Sequence, residues 1–392
     1  MEGDFIKIKE WLLPFSWLYG VGVGIRNFLF DVNIKKSRAF DIPVISVGNI
    51  TVGGSGKTPH VEYLIRLLQD KAKVAVLSRG YKRKSKGYIL ADENTTVAEI
   101  GDEPYQMHKK FDKIYVAVDK DRCHGIDTIT SSDETKDTDV ILLDDAYQHR
   151  YVKPGVNILL VDYHRLIIYD KLLPAGRLRE PISGKTRADI VIITKCPKNL
   201  KPMSYRVLMR AMSLYPYQKL FFTCLEYGEL QPIFNTSEKK VSVHSIKNSD
   251  NIMLITGIAS PEQMINDLEP YTKNIKHLCY PDHHDFTAND IEQINETYET
   301  LPKGSLIITT EKDASRITSL EGLSDNVKNN IYILPIQVKV LLDQEDKFNE
   351  NILSYVQKNS RNSILVKGKN DNKTKDSNNT GNRPRTISFR NN

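Results

Sequence analysis

Cysteine is scarce in this 392-residue chain: Cys123, Cys196, Cys224 and Cys279 stand far apart, with no Cys-x-x-Cys pair among them. That spacing excludes a disulfide framework. It suits reduced thiols in a cytosolic protein, packed as small hydrophobes in or near the core. Net charge is lacking where it would carry meaning. Residues 361–392 hold eight Lys or Arg against Asp371 and Asp376, so they account for the whole formal charge of +6 and leave the first 360 residues balanced. A balanced body excludes a nucleic-acid-binding surface built on bulk charge. Long apolar runs are also rare. The one candidate, Trp11 to Phe30, contains both tryptophans of the chain. It only just reaches the roughly 20 residues that a spanning helix needs, and Pro14, Gly20, Gly22, Gly24 and Arg26 interrupt it. No small-residue cleavage site follows, so it is a poor span and a poor signal peptide. Aromatic residues near one end, with Arg26, Lys35, Lys36 and Arg38 beyond, suit a segment lying in the headgroup layer. A helix packed on its own domain is the alternative.

What is present is an α/β pattern. Ile42–Gly48 is a short β-branched run followed by a glycine-rich loop, and His60–Asp70 repeats apolar residues at helical spacing (Val61, Leu64, Ile65, Leu68). Further short Val- and Ile-rich runs at Lys73–Ser78, Lys113–Val118, Val140–Leu143, Asn157–Val161 and Ile190–Thr194 read as strands covered on both faces. The expectation is a P-loop-NTPase-like, mostly parallel sheet with helices on both faces, spanning 41–215 after an N-terminal segment of 1–40. A second series (Lys219–Thr223, Met253–Thr256, Asn274–Leu278, Ser305–Thr309, Asn330–Val338) places a smaller C-terminal α/β domain over 216–360. The Asn-, Lys-, Ser- and Thr-rich end, 361–392, has almost no apolar residues and reads as a disordered basic tail.

The strongest chemical signal is Thr51-Val52-Gly53-Gly54-Ser55-Gly56-Lys57-Thr58, between a strand and a helix. Glycines let backbone N–H groups turn inward as a cradle, and the helix N-terminus adds its positive dipole end. Lys57 neutralises β/γ oxygens, and the Thr58 hydroxyl is placed to ligate Mg²⁺. The strict pattern has Gly where this chain has Thr51, but Gly-x-Gly-Lys-Thr survives. Such a loop needs an acid at the tip of another strand, and Val140–Leu143 runs into Asp144-Asp145. Adjacent carboxylates there repel each other, which a cation resolves.

With these residues assembled, the chain resembles the tetraacyldisaccharide 4′-kinase family of lipid A biosynthesis. The motifs appear in the family's order: Val47-Gly48-Asn49 into Gly53–Pro59, Ser78-Arg79-Gly80-Tyr81, Gly101-Asp102-Glu103-Pro104 and Asp144–Arg150. Leu173–Pro181, Asp282-His283-His284 and Thr309-Thr310-Glu311-Lys312-Asp313 complete them. The resemblance implies transfer of the ATP γ-phosphoryl to the 4′-hydroxyl of an acylated glucosamine disaccharide 1-phosphate, with Mg²⁺, at the cytoplasmic face of the inner membrane. It implies neither nucleic acid nor an obligate protein partner. By motif, Thr51 to Thr58 hold ATP, and Thr58, Glu103, Asp144 and Asp145 surround the metal. Asp102 is the base facing the sugar hydroxyl, with His283 (or His284) as its partner, and Glu180 sits near the nucleotide entrance. Asn49, Arg79, Tyr81, Gln148 and His149 are substrate-side candidates. Ala146-Tyr147 departs from the family's commoner Gly-Leu or Gly-Phe, which touches local loop shape only.

Read without the resemblance, several of these residues have plainer roles. Asp102 sits in a Gly-Asp-Glu-Pro sequence that suits a turn or helix cap, and the histidine pair suits a cap before Thr287. No ligand spacing supports a zinc site there. Arg79, Lys82, Arg83, Lys84 and Lys86 form a solvated charge run or a site for an acidic headgroup or the substrate's 1-phosphate. Pro197 stands where a Thr-Lys-x-Asp guanine-reading motif needs its Asp, so Thr194-Lys195 does not argue for guanine. A membrane-associated P-loop switch or ATPase would keep Lys57, Thr58 and Asp145 and need no acceptor base. A non-catalytic scaffold would not need the intact Lys57-Thr58.

Overall fold

A computed structural model describes residues 8–359 apart from 235–241, 248–249, 259–260, 283 and 319–320. The expected basic tail and His283 lie outside the described residues. In chain order the strands are β1 (Val44–Gly48), β2 (Val74–Ser78), β3 (Ile89–Leu90), β4 (Tyr115–Val118), β5 (Val140–Asp144), β6 (Val156–Asp162) and β7 (Ile190–Thr194). They continue with β8 (Lys219–Tyr227), β9 (Gln231–Pro232), β10 (Ile252–Thr256), β11 (Ile275–Cys279), β12 (Leu306–Thr309), β13 (Ile331–Ile333) and β14 (Ile336–Val340).

Nine strands form the large sheet in the order β14-β8-β7-β6-β1-β5-β2-β4-β3. Seven central strands run parallel, and β3 and β14 pair antiparallel at the two edges. Strands β1, β2, β5 and β7 are buried at every residue, which is why their sequences are continuous apolar runs rather than alternations. One face packs on Val61, Leu64, Ile65 and Leu68 of the helix Lys57–Leu68, and on Phe348, Ile352 and Val356 of the helix Glu345–Asn359. On the other face Leu159, Val191 and Ile193 meet Leu208 and Met212 of the helix Pro202–Met212, and Leu77 and Ile141 meet Ile126 and Ile129 of the helix Arg122–Ser131. This is the expected α/β architecture.

A five-stranded sheet, β11-β10-β12-β13-β9, forms the second layer system, with β9 antiparallel at its edge. The boundary at 216 needs correction. Strand β8 extends the large sheet beside β7, and the chain returns through β14 and the helix Glu345–Asn359 to close that same sheet. The expected single strand Asn330–Val338 is two strands in different sheets. Pro335 stands between them and, with no N–H to donate, breaks the ladder.

The N-terminal run is one helix, Leu13–Asp31, with Pro14 in its first turn where no intrahelical donor is lost. No helix among the described residues is long and apolar enough to cross a membrane. One side docks on the body: Ser16 Oγ donates to the Leu172 carbonyl at 2.9 Å, Tyr19 Oη to the Arg179 carbonyl at 2.7 Å, and Arg26 to the Gln148 carbonyl at 2.9 Å. The other side leaves Trp11 and Trp17 at least 70% exposed, with Phe15, Leu18, Ile25 and Phe28 also open.

The return of the chain to the large sheet is testable. Phe348 is buried, edge-on to Phe221 at 5.1 Å. Phe348→Ala is expected to cost about 3–5 kcal/mol and to lower the melting temperature of the nucleotide-binding unit by several degrees. An unchanged melt would separate the C-terminal helix from that core.

Candidate active site

The phosphate loop is held from three sides before any ligand arrives. Strand β1 ends at Gly48, where a Cβ would stand 2.8 Å from the Cβ of Tyr147 and 2.9 Å from its backbone N, so only glycine lets the strand end this close to the chain after β5. Asn49, fully buried, donates its amide to Thr51 Oγ1 (3.2 Å) and Ser55 Oγ (2.7 Å). Thr51 bridges Leu178, Val52 N donates to the Arg177 carbonyl at 2.8 Å, and Thr194 Oγ1 of β7 donates to the Ser55 carbonyl at 3.0 Å. Gly56 takes the left-handed φ of +80° that turns the loop into the helix Lys57–Leu68. His60 joins the Gly56 carbonyl (2.7 Å) to Thr223 Oγ1 of β8 (3.0 Å). Burial pushes its imidazole down to about 4, so it is neutral at pH 7. Lys57 and Thr58 occupy the first turn of that helix.

Asp144 ends β5, beside β1 and β2. Asp145 follows with a left-handed φ of +46°, a conformation that costs a non-glycine residue energy and is characteristic of functional sites. Lys57 Nζ lies 3.7 Å from Asp145 Oδ1, and Arg179 Nη1 lies 3.5 Å from Asp145 Oδ2. Ser78 Oγ donates to Asp144 Oδ2 at 3.1 Å. Burial, then Asp145, then Glu103 push Asp144 up to about 6, against the opposite pull of Lys57 and Ser78. Asp144 Oδ1 is buried without a hydrogen-bond donor, and Asp145 Oδ1 has only the 3.7 Å ion pair with Lys57. Such orphaned acceptors are rare. Paired hard carboxylate oxygens at the tip of β5, within reach of the charge of Glu103, are donors of the kind that Mg²⁺ takes, so the acid pair fits the metal.

The structure brings Gln148 and Glu180 together, whereas a ring nitrogen of His149 lies within 4.8 Å of ligand atoms of Asp121 and Cys123. Gln148 Nε2 donates to the Asn49 carbonyl and, at 3.3 Å, to Glu180 Oε1. Glu180 is buried, and Arg187 Nη2 donates to both of its oxygens at 2.8 Å. Its carboxylate therefore braces Gln148 and the N-terminal helix, and its neighbour Arg179 is the side chain that reaches the acid pair. Asn49 likewise gives its amide N–H groups to the loop, while its buried Oδ1 has no hydrogen-bond partner. Burial, then Arg122, hold His149 down to about 4, and its buried Nε2 has no hydrogen-bond partner. Arg79 and Tyr81 are exposed at the end of β2. Arg83, from the same basic run, donates at 2.7 Å to the Gly87 carbonyl and so ties its own loop together. Sequence reasoning assigned no role to Arg122 or Arg179. Arg122, buried, donates to the Asp144 carbonyl at 3.3 Å. Arg179 stood inside a quoted motif, whereas no sequence signal marks Arg122.

Asp102 is not in a loop, as its Gly-Asp-Glu-Pro sequence suggested: it opens the helix Asp102–Lys110. Acids followed by proline at the third position describe a first helical turn as well as a bend. That helix lies against the phosphate-loop helix, with Gln106 Nε2 2.8 Å and Lys110 Nζ 2.7 Å from the Glu62 carboxylate. It therefore starts at the edge of the sheet that carries Asp144, and the charge of Glu103 is felt there. Asp102 is 5% exposed, and its two oxygens accept from the guanidinium of Arg316, in the helix Glu311–Ile317 of the small-sheet layer. Of the two histidines expected near it, His283 lies outside the described residues. The ring of His284 stacks on Tyr280 and meets Asp290 at 3.0 Å, which is the plainer capping role. Its carbonyl accepts from Arg316 at 2.8 Å.

Comparison with known proteins places these features in a family. A model of the family described as tetraacyldisaccharide-1-P 4′-kinase matches residues 8–357. A tetraacyldisaccharide 4′-kinase of Phocaeicola vulgatus is 60% identical over 364 residues, covering 93% of this chain and 99% of that protein. One from Flavobacterium johnsoniae is 45% identical over 352 residues, covering 90% and 98%. Among solved structures, LpxK from Aquifex aeolicus in complex with ATP superposes with a TM-score of 0.67 at 30% identity, covering 88% of this chain and 98% of that one.

The raised Asp144 carboxyl has a stability consequence with a definite sign. Its folded value of about 6 exceeds the 3.8 of an ordinary aspartate, so the folded state binds the proton more tightly and loses stability as pH rises from about 4 to above 6. Asp144→Asn is therefore expected to raise stability at pH 8 by on the order of 2 kcal/mol and to give no gain below pH 4. Added Mg²⁺ with nucleotide should stabilise the native protein and not the variant. Melts at the two pH values, with and without Mg²⁺ and nucleotide, read both effects.

Proposed function

The chain belongs to the tetraacyldisaccharide-1-P 4′-kinase family and is a kinase of lipid A biosynthesis, and from that premise we propose how its residues carry the transfer. The γ-phosphoryl of ATP passes to the 4′-hydroxyl of an acylated glucosamine disaccharide 1-phosphate. One observation supports this above the others: the phosphate-loop lysine stands 3.7 Å from Asp145 in an acid pair whose Asp144 Oδ1 is buried without a donor, beside a helix that begins with Asp102.

The loop from Thr51 to Thr58 binds the phosphates through its backbone N–H groups, and Lys57 leaves Asp145 for the β/γ oxygens. Thr58, Glu103, Asp144 and Asp145 would hold Mg²⁺, which would offset the negative charge of the phosphates. Arg179 and Arg122 keep the two aspartates in place. Asp102 accepts the proton of the sugar 4′-hydroxyl as its oxygen bonds to the γ-phosphorus and the bond from that phosphorus to the β,γ-bridging oxygen breaks, leaving ADP. His283 is its partner in holding or passing on that proton. Arg79, Tyr81, Gln148 and His149 line the acceptor side, where neutral His149 takes a hydroxyl hydrogen bond without adding charge.

The acceptor is a lipid, and the open apolar side of the helix Leu13–Asp31 gives the protein a way to meet it. Trp11, Phe15, Trp17 and Phe28 enter the headgroup layer on the cytoplasmic face of the inner membrane, with Lys9, Lys35 and Lys36 facing anionic lipid.

Purified protein with ATP, Mg²⁺, detergent and the disaccharide lipid should phosphorylate the 4′ position, with little ATP hydrolysis when the acceptor is withheld. Fast hydrolysis without acceptor would instead fit a switch or ATPase. Lys57→Ala and Asp102→Ala are each expected to lose about 10²–10⁴ in turnover, and Asp102→Ala should keep its affinity for ATP. Replacing Trp11 and Trp17 by serine should lower partition onto anionic vesicles by on the order of 100-fold. Unchanged partition in a flotation assay would remove this helix from the membrane contact.

A further inference from the structure

The motif Thr309-Thr310-Glu311-Lys312-Asp313 belongs to neither the phosphate loop nor the acid pair, yet the structure builds it with care. Thr310 caps the helix Glu311–Ile317 by accepting from Asp313 N at 3.1 Å. Asp313, fully buried, accepts from Gly257 N at 2.9 Å and from Thr310 Oγ1 at 2.7 Å, which fastens the helix to the end of β10. Glu311 reaches the other way. It accepts from Lys110 and, at 3.2 Å, from Gln106, and those two side chains also hold Glu62 of the phosphate-loop helix. Three helices, one of them from the small-sheet layer, meet through this chain of charges.

One turn along the same short helix, Arg316 presents its guanidinium to Asp102. Nε donates to Oδ1 at 3.0 Å, Nη2 donates to Oδ2, and Nη1 donates to the His284 carbonyl at 2.8 Å. Both side chains are more than nine-tenths buried. A bidentate fork of this kind fixes the plane of a carboxylate as well as its charge. A carboxylate offers about four lone-pair directions, and the fork uses one on each oxygen.

We propose that Arg316 is a positioning residue for the phosphoryl transfer: it aims Asp102 at the acceptor hydroxyl, so the small-sheet layer sets the geometry of a base carried by the large one. This rests on the reading of Asp102 as the acceptor base. The motif at 309–313 then has a task, which is to fasten the first turn of the helix that carries Arg316 to the end of β10 on one side and to the helix Asp102–Lys110 on the other.

The test is a double-variant cycle in the full chain with ATP, Mg²⁺ and the disaccharide lipid, using Arg316→Met, Arg316→Lys and Asp102→Asn. A base displaced by about an ångström loses on the order of 100-fold in rate. Arg316→Met should therefore lower kcat about 100-fold while the KM for ATP stays within about threefold. Arg316→Lys, which keeps charge and bulk but not the fork, should recover part of the loss and serves as the variant of choice if the methionine form folds poorly. Millimolar guanidinium should restore part of the turnover of Arg316→Ala. In the Asp102→Asn background, Arg316→Met should add little further loss. A large loss in Asp102→Asn with an equal, additive loss on introducing Arg316→Met would overturn the positioning role alone. Undiminished kcat in Arg316→Met would overturn it as well. Full turnover in Asp102→Asn would overturn the base reading and the inference together.

Discussion

Two carboxylates at the tip of one buried strand repel each other, and most of the site is arranged around that repulsion. Burial, then its neighbours Asp145 and Glu103, push the Asp144 carboxyl up to about 6. Asp145 adopts a costly backbone conformation and leans on Lys57 and Arg179. His149, four residues on, is kept neutral by burial and the guanidinium of Arg122. Each feature is unfavourable or indifferent in the protein alone, and each becomes reasonable once a cation and a triphosphate are present. A site that stores strain in this way gives up folding stability for binding.

The stabilising side of the ledger lies in how the loop and its surroundings are braced. Asn49 ties the phosphate loop to itself, Gln148 ties Asn49 to Glu180, and Arg187 fixes Glu180. Arg26 of the N-terminal helix donates to the Gln148 carbonyl, and Asn27 reaches Glu180 at 3.4 Å. An unbroken run of hydrogen bonds thus connects the exposed apolar helix to the nucleotide loop.

Much of this was legible in the sequence because the signals were local. A glycine-rich loop needs its strand before and its helix after, and β1 and Lys57–Leu68 stand where that grammar puts them. Asp144-Asp145 was visible because the apolar run before it ends so sharply. What escaped was long-range. Strand β8 and strand β14 have the same apolar content as the small-sheet strands, so nothing in their composition tells which sheet they join. Only Pro335, read as a break within Asn330–Val338, hints that the chain crosses back. Glu180 read as a ligand because polar residues near a motif invite that reading, yet Arg187 donates to both of its oxygens, and Asn49 gives its N–H groups to Thr51 and Ser55. Arg316 lies 214 residues from Asp102 along the chain, and no spacing rule spans such a distance.

The central claim is that the acid pair and Thr58 form a cation site for the phosphates gripped by Lys57. Crystals grown with Mn²⁺ in place of Mg²⁺ and a non-hydrolysable ATP analogue test it through the anomalous signal of the metal. One strong peak is expected within bonding distance of Thr58 Oγ1 and of at least one oxygen of Asp144 or Asp145, against the β- and γ-phosphates. A nucleotide bound with its metal elsewhere, and both aspartates still turned toward Lys57 and Arg179, would contradict it.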